Sequence, residues 1–334
     1  MRAIILVGGF GTRLRPLTLT TPKQMLPVVD RPMIERAVES LAAHGIDDAI
    51  LSLGYRPDAF FEAYPDDRCA GVHLHYAVEP EPLDTAGAIG FAAAEAGIEN
   101  TFLVVNGDVL SDLDLGALVD LHRSGGAEGT LALTQVEDPS RFGVVTIDER
   151  HRVEGFVEKP PPGEAPTDWI NAGVYVFEPA VLDRIAPGRK VSLEREVFPA
   201  MVDDASLYAR PDGAYWVDAG TPATYLQAQL DLIDGHRGAP EPARAGSADV
   251  DPAATVDHSV IMADAAVAAG ATVRDSAVLP GAVIGAGASV VGSIVGPGAR
   301  VGEGARLDGL CVLGDGAVVE PGEVLEAERR PAPE

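Results

Sequence analysis

Lysine is nearly missing from this chain. Only Lys23, Lys159 and Lys190 occur among 25 basic residues; the rest are arginine. Aspartate and glutamate number 51, giving a formal net charge of −26. Such a surface repels a nucleic-acid backbone, so binding to DNA or RNA is not expected. The few cations near Arg13 suit a single nucleotide better than a duplex. Cysteine is scarce too. Cys69 and Cys311 stand far apart, with no C-x-x-C or Cys/His spacing. That fits a reducing compartment and gives no zinc signal. No apolar run is long enough to span a membrane, and the opening MRAIILVGG is too short for a signal peptide. A cytoplasmic protein without membrane contact is expected.

The 334 residues suggest about two domains. Up to about residue 125, strand-like and helix-like segments alternate. AIILV, DAILSLGY, GVHLHYAV and TFLVVNGDV read as strands. RPMIERAVESLAAHGI, PDAFFEAY, TAGAIGFAAAEAG and LGALVDLHRSGG read as helices, with Pro32 at a first helical position and Ile34, Val38 and Leu41 on one face. Repeated β-α units predict a Rossmann-like α/β fold, with a mixed, mostly parallel sheet covered on both faces. From Gly129 strands dominate, in GTLALTQV, GVVTID, VEGFVEKP and AGVYVFEP. Helical pattern returns at SLEREVFPAMV and TYLQAQLDLIDG.

Residues 235–248 are rich in Gly, Pro and Ala, lack periodicity and read as a linker between domains at 1–234 and 249–334. In the last segment Val295, Val301, Leu307, Leu313, Val319 and Leu325 are spaced six apart. Val267, Val273 and Leu279 keep the same interval, as do Val250, Val256 and Met262. A disordered tail has no reason to hold an aliphatic residue in phase. The hexapeptide repeat predicts a short left-handed parallel β-helix of about four coils, each hexad forming one side. Its exposed end favours a homo-oligomer.

Four motifs carry chemistry. LVGGFGTRLRPLT follows the first strand, and Gly8, Gly9 and Gly11 let the backbone approach a phosphate. The stretch is neither G-x-G-x-x-G nor a P-loop, and a plain glycine turn is an equal alternative. Thr12, Arg13, Arg15 and Lys23 tip the balance, because a triphosphate needs several cations. VVNGD puts Asp108 at the carboxyl end of an apolar strand, where open α/β sheets bind ligands. YWVDAGTP supplies a second carboxylate, Asp218. Two such carboxylates suit Mg²⁺ completed by phosphates and water, although each alone is commonly a turn or cap residue. FVEKPP places Glu158 and Lys159 before a proline pair, and Asn171 follows in NAG.

With EPLDTAGAI, FGVV, INAGVYVF and EREVFPAM added in order, residues 1–235 resemble the sugar-1-phosphate nucleotidyltransferases. NAGVYVF, EREVFP and YWVDAGTP are most similar to the mannose-1-phosphate guanylyltransferase branch, where a trailing β-helix also occurs. PKQMLPVVDRPM is closer to the thymidylyltransferase pattern. Asp84 stands where the family carries Gly in PLGTAG; Asp tolerates positive φ better than most residues. The resemblance implies an enzyme that joins an NTP to a sugar 1-phosphate by in-line attack on the α-phosphate, releasing pyrophosphate. It implies that Gly8, Gly9, Gly11 and Thr12 cradle the nucleotide, with Leu6, Thr85 and Gly87 beside it. It further implies that Arg13 and Lys23 face the phosphates and that Asp108 and Asp218 hold Mg²⁺. Lys159 would bind the sugar phosphate, and Gly143, Glu158 and Asn171 the sugar.

Glu79 falls where the thymidylyltransferase loop has Gln. A carboxylate only accepts hydrogen bonds, which matches the two parallel donors of guanine. GTP with mannose 1-phosphate is therefore expected, making GDP-mannose. The retained lysines fit the same picture, since a compact ammonium sits among crowded phosphate oxygens where a guanidinium fork needs room. Three rivals are a dTTP- or UTP-using enzyme acting on glucose 1-phosphate, a silent sugar-nucleotide-binding subunit, and an acyltransferase using His258 of the β-helix. The silent subunit predicts loss of phosphate or metal residues, yet all are present.

Overall fold

In the computed structural model, which describes residues 1–332, the chain divides into two compact units. Met1–Gly9 and Glu35–Trp216 form the first, and Phe10–Ile34 with Val217 onward form the second.

In the first unit β1 (Arg2–Leu6) is followed by α1 (Met33–Ala43), β2 (Asp48–Leu53), α2 (Asp58–Ala63), β3 (Val72–Val78), α3 (Asp84–Ala96) and β4 (Phe102–Asn106). Pro32 lies just before α1 rather than inside it. The four strands are parallel in the order β3-β2-β1-β4. Ile4, Ile5, Ile50, Leu51 and Val104 are fully buried, which is why these strands read as continuous apolar runs. The direction of strand addition reverses between β1 and β4, creating a crevice at their carboxyl ends.

The added strands follow α4 (Leu115–Gly125): β5 (Gly129–Gln135), β6 (Gly143–Ile147), β7 (Val153–Glu158), β8 (Trp169–Phe177) and, after α5 (Phe198–Asp203), β9 (Leu207–Pro211). β8 runs antiparallel to β4, β5 and β6 and joins them to the parallel sheet. Tyr175, Phe177 and Phe198 cluster beneath it, with ring centroids 5.5–6.4 Å apart.

In the second unit α6 (Pro222–Ile233) starts with a capping box between Thr221 and Thr224. The Tyr225 hydroxyl and the Gln229 amide donate to the carbonyl of Pro27, and Gln229 Oε1 accepts from Val29 N–H at 2.7 Å. The segment after Lys23 is thus tied to a helix two hundred residues on.

The C-terminal segment forms three parallel five-stranded sheets, consistent with a left-handed parallel β-helix. It has five strands per side, not the four coils expected. The first coils step by seventeen residues, as in Val250–Val267–Ile284–Val301 and Ile261–Val278–Val295. Ile261 and Val278 therefore take the ladder positions expected of Met262 and Leu279. A corner serine explains the shorter side. Ser259 and Ser276 are buried, and each accepts from the backbone N–H of the serine one coil on, at 3.1 and 3.0 Å. The expected linker carries structure, with Ala245 N–H donating to Ile261 C=O and Ile261 N–H to Ala243 C=O.

Candidate active site

At the carboxyl ends of β1 and β3, the first unit contains a cavity of about 260 Å³. Leu6, Gly8, Gly9, Glu79, Leu83, Asp84 and Thr85 are among its lining residues. Glu79 is partly buried, and its Oε1 lies 3.5 Å from where a Cβ on Gly8 would stand. Its Oε2 accepts from Leu83 N–H at 3.0 Å and its Oε1 from the Ser52 hydroxyl at 3.3 Å. Burial raises the pKa of this carboxyl, and these two hydrogen bonds offset part of the rise.

Asp84 has φ 63°, the left-handed turn expected for a residue in the family's glycine position. Its Oδ1 accepts from Thr85 N–H at 2.8 Å. The N–H groups of Ala86 and Gly87 both donate to Val191 C=O. Thr85 faces the cavity, but its hydroxyl donates to Glu194 at 2.8 Å and accepts from Leu193 N–H. Gly87 does not line this cavity. A Cβ there would stand 2.7 Å from Arg189 C=O, so this glycine serves close packing under α3.

Also in the first unit, Gly143 pairs across the ladder with Glu158, and a Cβ on Gly143 would overlap the Phe156 ring. Lys159 has φ 52° and its ammonium lies 2.9 Å from Glu158. Asn171 donates to the Tyr175 hydroxyl at 2.9 Å and accepts from Gly173 N–H at 3.0 Å, two bonds that orient its amide. Burial holds the Tyr175 phenol far above its ordinary pKa, and the fields of Glu194, Glu158 and Asp108 add to the shift. Four sequence-distant acidic and phenolic groups therefore share one neighbourhood. Glu194 was not singled out from sequence, although the helix-like EREV pattern contains it. Trp216 was also missed; its indole N–H donates to Ala172 C=O and its ring meets Phe142 edge-on at 5.6 Å.

The second unit holds the rest of the glycine loop. Gly11 has φ 59°, and a Cβ there would lie 2.9 Å from Thr18. The Thr18 hydroxyl donates to Gly11 C=O at 2.8 Å. Thr12–Leu14 make a single 3₁₀ turn and Lys23–Met25 another, with Leu14 and Leu17 buried as anchors. Arg13 stays largely exposed, 4.0 Å from Asp218. Gly220 N–H donates to Asp218 Oδ1 at 2.8 Å. A Cβ at Gly220 would lie 2.6 Å from Asp218 Oδ1 and 2.8 Å from the Arg13 guanidinium, so a side chain there would displace one or both. Arg329, at the far end of the β-helix, donates to the carbonyls of Arg13 at 3.2 Å and Arg15 at 3.0 Å.

The nucleotidyl transferase family model matches residues 2–235 of this sequence. The chain belongs to the nucleotidyl transferase family. A second model, described as the GMPPB C-terminal domain, matches residues 243–329. The mannose-1-phosphate guanylyltransferase of Mycobacterium tuberculosis is 46% identical over 246 residues, covering 73% of this chain and 67% of that protein. The mannose-1-phosphate guanyltransferase of Schizosaccharomyces pombe is 43% identical over 267 residues, covering 77% and 73%. Among solved structures, a putative glucose-1-phosphate thymidylyltransferase from Bacillus anthracis aligns with TM-score 0.62 and 26% identity, covering 69% of this chain and 94% of that one. HddC from Yersinia pseudotuberculosis, complexed with GMP-PN, aligns with TM-score 0.58 and 30% identity, covering 68% and 97%.

As a nucleotidyltransferase the chain belongs with enzymes that generally use a divalent metal. Asp108 lies in the first unit and Asp218 in the second, and each carries a hard carboxylate, a donor type that such metals take. Asp218 is held by Gly220 N–H through one oxygen, which orients the other. The acyltransferase rival, with a base at His258, does not fit the geometry. Both ring nitrogens of His258 face carboxylates, Asp275 at 2.6 Å and Asp234 at 3.0 Å. No helix among the described residues is long and apolar enough to cross a membrane.

Proposed function

We propose that this nucleotidyltransferase makes GDP-mannose and pyrophosphate from GTP and mannose 1-phosphate. The observation that carries the choice of base is Glu79, an acceptor-only group on the cavity wall. The names of the relatives point the same way.

The sugar-phosphate oxygen attacks the α-phosphorus in line and pyrophosphate leaves. The nucleophile is already an anion, so positioning and charge neutralisation are the protein's task. In this reading Gly8, Gly9, Gly11 and Thr12 bring backbone close to the nucleotide. Arg13 and Lys23 neutralise its phosphates. Lys159, whose ammonium is held beside Glu158, takes the phosphate of the sugar. Glu158, Asn171 and the backbone at Gly143 read its hydroxyls. Asp108 and Asp218 would hold Mg²⁺, which when bound supplies positive charge to the phosphate oxygens. In the same reading the enzyme works in the cytoplasm as a homo-oligomer assembled through the β-helix.

A matrix of GTP, dTTP, UTP and ATP against mannose and glucose 1-phosphates, scored by pyrophosphate release, tests the assignment. GTP with mannose 1-phosphate should give the highest kcat/KM. Preference for dTTP with glucose 1-phosphate would replace this reading with that of the thymidylyltransferases.

A further inference from the structure

At the opposite end of the parallel sheet from the nucleotide cavity, three ligand-type atoms converge. Asp48 is the first residue of β2, and His73 and His75 lie on β3. The ladder pairs Asp48 with His73, and His75 is two residues on, so all three side chains leave the same face. Asp48 Oδ2 is 2.9 Å from His75 Nε2 and 3.9 Å from His73 Nδ1, and the two ring nitrogens are 3.0 Å apart. Metal–nitrogen and metal–oxygen bonds of about 2.0–2.1 Å in a tetrahedron put ligand atoms roughly 3.3–3.4 Å apart. The observed triangle brackets that edge.

Proton counting also points to a cation. His75 Nε2 faces both the carboxylate and the other imidazole. A ring nitrogen carries either one hydrogen or one lone pair. With the hydrogen it serves one neighbour fully and leaves the other lone pair ill-matched. With the lone pair it opposes the carboxylate. A cation placed between all three satisfies each at once. The carboxylate is oriented for this by Arg2, whose Nε donates to Asp48 Oδ1 at 2.7 Å and whose Nη1 donates to Ala96 C=O at 2.6 Å. That leaves Oδ2 for the converging pair, the outer-shell arrangement common around metal-bound carboxylates. All three side chains are 31–42% exposed, so water can complete the coordination.

We propose that Asp48, His73 and His75 bind a divalent transition-metal ion of the zinc class, which clips β2 to β3. The ion would be separate from the metal of catalysis. Strand β2, six residues long, spans about 20 Å at roughly 3.3 Å per residue, and the cavity lies at the other end of the sheet. The Arg2 charge offsets that of Asp48, so the site relies on imidazole nitrogen rather than on net charge. That favours zinc, cobalt or nickel over Mg²⁺ or Ca²⁺, which depend on anionic oxygen. Cysteine spacing gave no zinc signal because no cysteine takes part.

The test uses tag-free full-length protein, stripped with chelator and dialysed against zinc in the presence of millimolar Mg²⁺. Mass spectrometry should count one zinc per chain. Cobalt in its place should give the visible absorption of a tetrahedral ion. The double variant His73→Ala/His75→Ala should bind no zinc and keep its transferase activity with Mg²⁺, because neither residue serves the reaction. Arg2→Gln should bind about tenfold more weakly. Absence of stoichiometric zinc in the wild-type protein, or zinc retained by the double variant, overturns the proposal. Should the double variant fold poorly, the cobalt spectrum of the wild-type protein decides, since no tetrahedral absorption means no such site.

Discussion

Arg329 lies 316 residues from Arg13, yet it is bonded to the loop that carries Arg13. Its guanidinium donates to two carbonyls, those of Arg13 and Arg15, and both atoms lie in the second compact unit. Replacing it with Ala removes both bonds and leaves two carbonyls to water. A hydrogen bond from a charged donor contributes about 1.5–3 kcal/mol when well shielded. This one is partly exposed, so about 1–1.5 kcal/mol for the pair is the reasonable figure. That energy bears on how well the loop is held ready for a triphosphate. If it enters transition-state binding in full, kcat/KM for GTP falls about fivefold to tenfold. The β-helix touches the loop a second time, since a Cβ on Gly314 would stand 3.0 Å from Pro16. The assay is pyrophosphate release at varied GTP with saturating mannose 1-phosphate, and then the reverse. Arg329→Ala should raise KM for GTP more than KM for the sugar phosphate, and Arg329→Lys should recover part of the loss. A chain ending at Ser247 should lose at least as much as Arg329→Ala. Unchanged GTP kinetics in Arg329→Ala would show that the loop is held without this contact.

Asp108→Asn and Asp218→Asn should each remove most turnover with little change in Tm, and near-normal activity of either at low Mg²⁺ would rule out the two-carboxylate site. Glu79→Gln should lower the GTP-to-dTTP ratio of kcat/KM by tenfold or more, because each lost bond to a charged acceptor is worth about 1.5–3 kcal/mol; an unchanged ratio would place base recognition elsewhere. His258 titrates above its ordinary 6.5, held charged by Asp275 first and Asp234 second. The stabilisation is therefore complete below pH 6.5 and is lost as pH rises through the raised value. These groups are partly exposed, so the effect is about 0–1 kcal/mol. Tm should fall slightly from mildly acidic to mildly alkaline buffer, and His258→Gln should flatten that difference.

Patterns that repeat locally were legible in the sequence. Strands buried on both faces must be apolar throughout, and AIILV and FLVV announced themselves that way. A β-helix holds one aliphatic residue inward per side, so its period survives in the sequence. The seventeen-residue step hid because Met262 and Leu279 are also buried, next to Ile261 and Val278, and either register looks apolar. Asp84 was legible through side-chain chemistry, since few residues other than glycine accept φ 63°. Less could be seen where a side chain is consumed by its neighbours. Asn171 could be picked out as a candidate sugar contact, but not that Tyr175 and Gly173 each engage one side of its amide and so fix its orientation. For Thr85 and Gly87, named as nucleotide contacts, no window of the sequence shows their contacts with the 189–194 backbone and Glu194. Arg329 leaves no trace in any window, because its partners are carbonyls at the other end of the chain.

The hydrogen-bond inventory of the cavity bears on which end of a nucleotide belongs there. A helix start is ordinarily a place for phosphate, with several N–H groups unpaired and the dipole positive. At α3 these donors are spent. Leu83 N–H goes to Glu79, Thr85 N–H to Asp84, and the N–H groups of Ala86 and Gly87 to Val191. Two of these acceptors are carboxylates, which also set negative charge against the positive end of the helix. A phosphate approaching α3 would meet anions and few donors. A group rich in donors meets the reverse, because each carboxylate oxygen keeps lone pairs beyond the one already engaged. Guanine presents N1–H and N2–H₂ side by side; thymine and uracil offer one N–H between two carbonyls. On the proposed function, the wall formed by Glu79 and Asp84 would take the base end of the nucleotide, and guanine above the others. The same proposal would leave the triphosphate to the cations of the glycine loop, Arg13 and Lys23, where this arginine-rich chain has kept one of its three lysines.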